Sequence, residues 1–136
     1  MRKSFTLIEI LVVATIIGLL AAAALVSYAQ LIKQSRDAKR KTDLEQVRAA
    51  LEIYRSNIGS YPNGSNWAVT LNVLTTPIIY MQTLPKDPKS QTNSFYYNGS
   101  DTDYTLAAYL EGGGASCVAG QCGNYCNYCL GPYGQK

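Results

Sequence analysis

The chain has 136 residues, of which 47% are hydrophobic, with twelve Lys and Arg against nine Asp and Glu for a formal net charge of +3, and no histidine. That length holds one small domain plus whatever lies outside it, and the missing histidine removes the commonest general base, the usual catalytic triads and most catalytic zinc sites. From Asn57 onward only Lys86, Lys89 and Lys136 face Asp87, Asp101, Asp103 and Glu111, a near-neutral balance that supports no nucleic-acid-binding surface. No phosphate loop, dinucleotide fingerprint or metalloprotease motif occurs, and nothing in the chain argues for an enzyme.

The first element is an apolar run. From Ile10 to Ile32 no residue is charged, and the polar interruptions are Thr15, Gly18, Ser27 and Gln30. At ~1.5 Å per helical residue the run is about 35 Å long, enough to cross a bilayer core. A secretory signal has a shorter apolar core followed by a small-residue cleavage site. Ala21–Ala24 imitate such a site, but the pattern runs on through Leu25, Val26, Leu31 and Ile32, so the run reads as a retained span. Near its start, "SFTLIEILVV" places one carboxylate, Glu9, among Phe, Leu, Ile and Val. A charge at bilayer depth costs roughly 2.5–3.5 kcal/mol even on lenient insertion scales. Glu9 therefore either snorkels to the headgroups or is the purpose of the segment.

Past Ile32 the helical pattern becomes amphipathic. Leu44, Val47, Leu51, Tyr54 and Ile58 recur at spacings of three and four and form one stripe. Lys41, Glu45, Arg48, Glu52 and Arg55 fall mostly elsewhere, with Arg48–Glu52 spaced as an i,i+4 pair. Lys33, Arg36, Lys39, Arg40 and Lys41 cluster after the apolar run and read as a solvated or headgroup-facing turn. The helix should stop around Asn57-Ile58-Gly59, with Pro62 beyond it. Its stripe needs a partner, and the rest of the chain is the obvious one.

That rest is loop-rich. "SYPNGSNW" reads as turns, "WAVTLNVLTT" as a short helix, and "LPKDPKSQTN", with two prolines, as no regular element. Phe95–Tyr97 and Tyr104–Tyr109 flank Asn98-Gly99-Ser100-Asp101 and predict an antiparallel hairpin whose inner face covers the helix stripe. So few strands cannot bury a core alone, so the helix must supply about half of it. The Gly-rich tail carries Cys117, Cys122, Cys126 and Cys129. An even count suits two disulfides in an oxidising space, in any of three connectivities; a four-thiolate metal site and free thiols are the alternatives. Asp101 and Asp103 are few carboxylates for a calcium site and read as a solvated turn. No cofactor and no metal are expected.

"SFTLIEILVV", preceded by Met1-Arg2-Lys3, resembles the class III signal of type IV pilins and type II secretion pseudopilins. The resemblance covers the helix to about Tyr54, and extends loosely to "LPKDP" and "YYNGSDTDYTLAAYLE". It implies a pilin-like α+β fold, a long N-terminal helix packed against a small antiparallel head with a Cys-rich tail. It further implies a leader at 1–4 removed between Ser4 and Phe5 by a membrane prepilin peptidase, and N-methylation at Phe5. A membrane and filament-core half at 5–32, an amphipathic half at 33–58 and a head at 59–136 follow. Glu9 falls at the family's carboxylate position, where it bonds the free Phe5 amine of a neighbouring copy, with Thr6 and Gly18 among the assembly positions. The implied partners are copies of the chain in a helical filament, the membrane, and an assembly platform and motor. The implied location is the inner membrane as a single-pass precursor and an extracellular filament after assembly. A disulfide-stapled head is common in the family.

Two departures stand out: Ser4 where the family has glycine before the cleavage site, and Val26 where many pilins have proline. By the positive-inside rule alone, the basic cluster against Arg2 and Lys3 would leave the later part of the chain in the cytoplasm. Pilins carry charges there and still export their heads. The expected function is a type IV pilus subunit. A secretion pseudopilin is the near alternative, and a single-span protein whose four cysteines form a cytoplasmic metal-binding domain is the alternative of another class.

Overall fold

A computed structural model describes residues 4–114, 117 and 120–136, with the side chains of Leu25, Val26, Ser27 and Gln121 set aside. The leader residues before Ser4 and the Val26 side chain thus lie outside the described residues. The elements in chain order are helix α1 (Leu7–Ile58), helix α2 (Trp67–Thr70) running into a 3-10 turn (Leu71–Leu74), and strands β1 (Tyr96–Gly99), β2 (Tyr104–Ala108), β3 (Gln121–Cys122), β4 (Asn124–Tyr125), β5 (Tyr128–Gly131) and β6 (Gly134–Gln135). The chain divides into two units, one up to Ser35 and one from Arg36 to Lys136.

The first unit is the apolar part of α1. Its described large side chains are exposed all round, from Ile32 at 36% to Leu7 at 83%. Among the described residues α1 alone is long and apolar enough to cross a membrane, with a mean hydropathy of 2.7 over its most apolar 18-residue window.

The second unit is an α+β head of the pilin-like kind. Leu44, Val47 and Leu51 on α1 are fully buried and Ala50 nearly so. The stripe ends sooner than its spacing predicts: Tyr54 is half-buried and Ile58 is 55% exposed. Gly59 explains the early exit. Its φ of +93° is left-handed, its N–H closes on the Arg55 carbonyl at 2.7 Å, and the chain turns so that Tyr61 enters the core where Ile58 does not.

Strands β1 and β2 pair antiparallel, Tyr96 opposite Ala107 and Gly99 opposite Tyr104, as the hairpin reading expects. The tail continues the sheet. β5 pairs with the far side of β2, and β6 closes the order β1-β2-β5-β6. Side chains alternate along each strand, so one face carries Tyr97, Tyr104, Leu106, Ala108, Tyr128 and Leu130 into the same core as Leu44, Val47 and Leu51. The other face carries Tyr96, Ala107 and Cys129, and these pack with Cys117, Cys122 and Cys126. A four-stranded sheet is thus lined by helix on one side and by cystines on the other. Both disulfides are formed, Cys117–Cys129 with Cα atoms 5.9 Å apart and Cys122–Cys126 at 5.3 Å.

Candidate functional site: an N-terminal carboxylate cap and a buried ion cluster

Helix α1 starts with a reciprocal cap. Thr6 stands just before the first helical residue, and its Oγ1 accepts from the Glu9 backbone N–H at 3.4 Å. In return, the Glu9 Oε2 accepts from the Thr6 backbone N–H at 2.8 Å and from the Thr6 hydroxyl at 2.7 Å. This is a capping box, Thr at the cap and Glu three residues on, which satisfies two amides that a helix start leaves without partners. The carboxylate also lies at the positive end of the helix dipole. It is therefore held within one residue of Phe5, whose ring is 80% exposed, and Ser4 is exposed beside it. Gly18 makes no demand inside the chain: a Cβ there meets nothing within 4 Å.

The second constellation lies in the head. Arg40, read from the sequence as part of a solvated turn, is fully buried. Its Nε and Nη2 donate to the Asp87 carboxylate at 2.8 and 3.0 Å, and its Nη1 donates to Asp37 at 2.7 Å and to Glu111 at 3.1 Å. Arg36 forks onto the same Glu111 with two contacts of 2.6 Å, and the Lys89 ammonium adds a third cation at 2.8 Å. Asp37 in turn accepts the Glu111 and Gly112 backbone amides at 2.9 and 2.7 Å. Of the basic cluster, Lys33, Lys39 and Lys41 remain exposed, and the Lys41 ammonium sits 5.5 Å from the centre of the Tyr128 ring. The solvated-turn reading is corrected for Arg36 and Arg40. Their acidic partners in the head are 47 to 75 residues away along the chain, where local charge counting does not reach.

Electrostatics follow the geometry. The bidentate bond from Arg36, with Lys89 and Arg40 beside it, holds the Glu111 carboxyl well below the usual carboxylate range, against the opposing effect of burial. A depressed folded pKa means that this stabilisation is present above the ordinary carboxylate range and is lost as pH falls through the depressed value. Hydrogen bonding to Asp87 leads the effects that raise the Arg40 guanidinium above its ordinary value. Asp43, one turn further along α1, behaves oppositely: burial, aided by the charge of Asp87, pushes its carboxyl up. Its Oδ2 is buried with no hydrogen-bond partner among the described residues.

Other pairings differ from their spacing. Arg48 bonds Glu45 at 3.2 Å rather than Glu52. Glu52 instead accepts the Tyr61 hydroxyl at 3.0 Å and the Tyr104 hydroxyl at 2.9 Å, which ties α1 to the sheet. In the hairpin turn, the Asp103 carboxylate accepts the Lys136 ammonium at 2.8 Å. The four cysteines are all consumed in disulfides, so none presents a thiolate to a metal. The ion cluster is what sequence reasoning missed. The available signal was "LPKDP" itself, a carboxylate fixed between two prolines, and a lone Glu111 just past a hairpin.

Residues 1–25 match the family model described as the prokaryotic N-terminal methylation motif. Three curated relatives match as well, each a "Type IV major fimbrial protein FimA" of Dichelobacter nodosus. Each is 40% identical over 52 residues, which is 38% of this chain and 32–33% of the relative. The alignment thus spans about a third of the length of the curated relatives. No solved structure gives a significant match. The motif, this likeness and the fold together support a pilin-like structural role.

Proposed function

We propose that the chain is the structural subunit of a type IV pilus-like helical filament. It is held in the inner membrane by the first part of α1 and polymerised through the same segment. In this reading a prepilin peptidase cuts between Ser4 and Phe5, and Phe5 becomes the methylated first residue. Thr6 keeps its place in the cap, and Gly18 lets a neighbouring helix approach closely. The mature subunit passes to an assembly platform and motor and ends outside the cell.

One observation carries the proposal: a lone carboxylate held at the head of the apolar stretch of α1 that runs to Ile32, whose described large side chains are exposed all round. The magnitudes say what that carboxylate needs. A capping interaction is worth about 1 kcal/mol, whereas a charge at bilayer depth costs roughly 2.5–3.5 kcal/mol. The cap orients Glu9 without offsetting its burial. An ammonium at Phe5 of a neighbouring copy supplies the missing opposite charge, and only one axial offset between copies brings the two together. Register then follows from charge, and cohesion from the apolar surface.

The experiment separates charge from cap. Glu9→Gln keeps a side-chain acceptor at the third helical position and removes the charge; Glu9→Ala removes both. Both variants should insert in the membrane, and both should fail to give filaments of normal register by electron microscopy. Normal filaments from Glu9→Gln would leave the carboxylate with a capping role only. A pseudopilin reading is favoured by "LPKDP" and the hairpin, and short filaments formed only when a secretion apparatus is overproduced would select it. The reading with a cytoplasmic metal-binding domain needs free thiolates, which the cystine pairing disfavours. An intact mass that starts at methylated Phe5 supports the filament reading against it, and one that retains Met1 and reduced cysteines reverses that preference.

A further inference from the structure

The head carries a shallow cavity of about 400 Å³ that the filament reading does not use. It lies between α2, the "LPKDP" turn and the start of β1, wholly within the second unit. We propose that this cavity is a binding site for a saccharide unit.

The lining decides the ligand class. Trp67 and Tyr96, both half-buried, offer aromatic surface, and Trp67 is braced by Phe95 with ring centres 5.0 Å apart. Around them stand the amides of Asn66 and Asn93 and the hydroxyl of Ser90. The Asn66 Oδ1 is taken by the Val69 backbone N–H at 2.9 Å, so its amide nitrogen is what it offers a ligand. The one carboxylate in the lining, Asp87, is committed to Arg40 and to the Lys89 backbone N–H, so a cation finds no free counter-charge there. An anion finds only Lys86 on the rim. A purely apolar ligand would leave amides and hydroxyl without partners. A pyranose meets both demands. Its axial C–H face lies against the electron-rich face of an aromatic ring, and its hydroxyls exchange hydrogen bonds with amide and serine groups. Lys86 adds a preference for a sugar that bears a carboxylate.

Trp67 is the chain's only tryptophan, so the site carries its own reporter. The full chain in detergent is titrated with galactose, N-acetylglucosamine and glucuronate while Trp67 emission is followed, excited where tyrosine does not absorb. The expected result is a saturable change with half-saturation on the order of 1 mM, the affinity that about a dozen ligand atoms give in an open site. Ser90→Phe, an exposed position that fills the cavity from its rim, should abolish the change and leave the melting temperature unaltered. Lys86→Ala should weaken glucuronate about threefold and leave the neutral sugars unchanged. The proposal is overturned if no sugar gives a saturable change, if the change survives Ser90→Phe, or if emission answers only to a proline-rich peptide. Filament assembly plays no part in these readings, so failure here leaves the filament proposal standing, and the reverse.

Discussion

The two units of the chain are inverted in their use of chemistry. The first presents apolar side chains on every described face and keeps one carboxylate at its head. The second buries a guanidinium completely and surrounds it with three carboxylates. In water each arrangement alone is costly. Apolar surface asks to be covered at roughly 25 cal/mol per Å², and a buried ion asks for a partner worth several kcal/mol. The head answers its own demand within one chain, whereas the first unit does not. Surface left open in a segment whose neighbour pairs its own buried guanidinium points to a membrane or further copies as the missing cover.

That contrast can be broken from either side. The largest effect is expected from Arg40→Ala, which strands Asp87 in the interior; the head should lose about 3–5 kcal/mol of stability, measured by chemical denaturation followed through Trp67 emission. A loss under about 1 kcal/mol would mean that water reaches the cluster. Ile16→Asp tests the other unit: it should cost about 3 kcal/mol in membrane insertion and leave the head's denaturation midpoint in place. A shifted midpoint would mean that the units do not answer independently. Replacing Cys117 and Cys129 together by serine opens a loop with a sequence separation of 12, and the loss should be about 3 kcal/mol.

The smallest effect has the opposite sign. Asp43→Asn removes a buried charge and should gain about 1 kcal/mol at neutral pH. Burial raises the Asp43 carboxyl, so the folded state holds its proton more tightly than the unfolded chain does. The native penalty is therefore present above the raised value and fades as pH falls through it, and the gain from the substitution should fade with it. A gain that persists in acid would assign the effect to packing rather than to charge.

What the sequence discloses about these units depends on how far apart the interacting residues lie. The α1 stripe at Leu44, Val47 and Leu51 is a local periodicity and is present as read, and the hairpin is present with its turn shifted two residues on, since Asn98 and Gly99 pair in β1 opposite Thr105 and Tyr104. The FTLIE string is equally local, and it carries most of the resemblance. Strand β5 was not legible because "YCLG" interleaves a core residue with a cystine and ends in glycine, so it shows no alternation of apolar with polar. It is nonetheless buried throughout, because each of its faces meets a different covering layer. The inward turn of Arg36 and Arg40 was hidden for another reason. A basic cluster reads as solvated until its acids are located, and here Asp37 alone is local while the other two come from the "LPKDP" turn and from the residue that follows β2 by a few positions. The Thr6–Glu9 cap is written in the sequence as spacing alone, three residues apart, and the apolar run around Glu9 makes its charge the more conspicuous property.

The two cystines are nested, Cys122–Cys126 lying inside the span closed by Cys117–Cys129. A single cut by a protease between Cys117 and Asn127 therefore releases nothing, because the outer bond still joins the two pieces. Strands β5 and β6 would stay zipped against β2 with their backbone ladder complete. A head nicked in this stretch therefore stays one covalent piece.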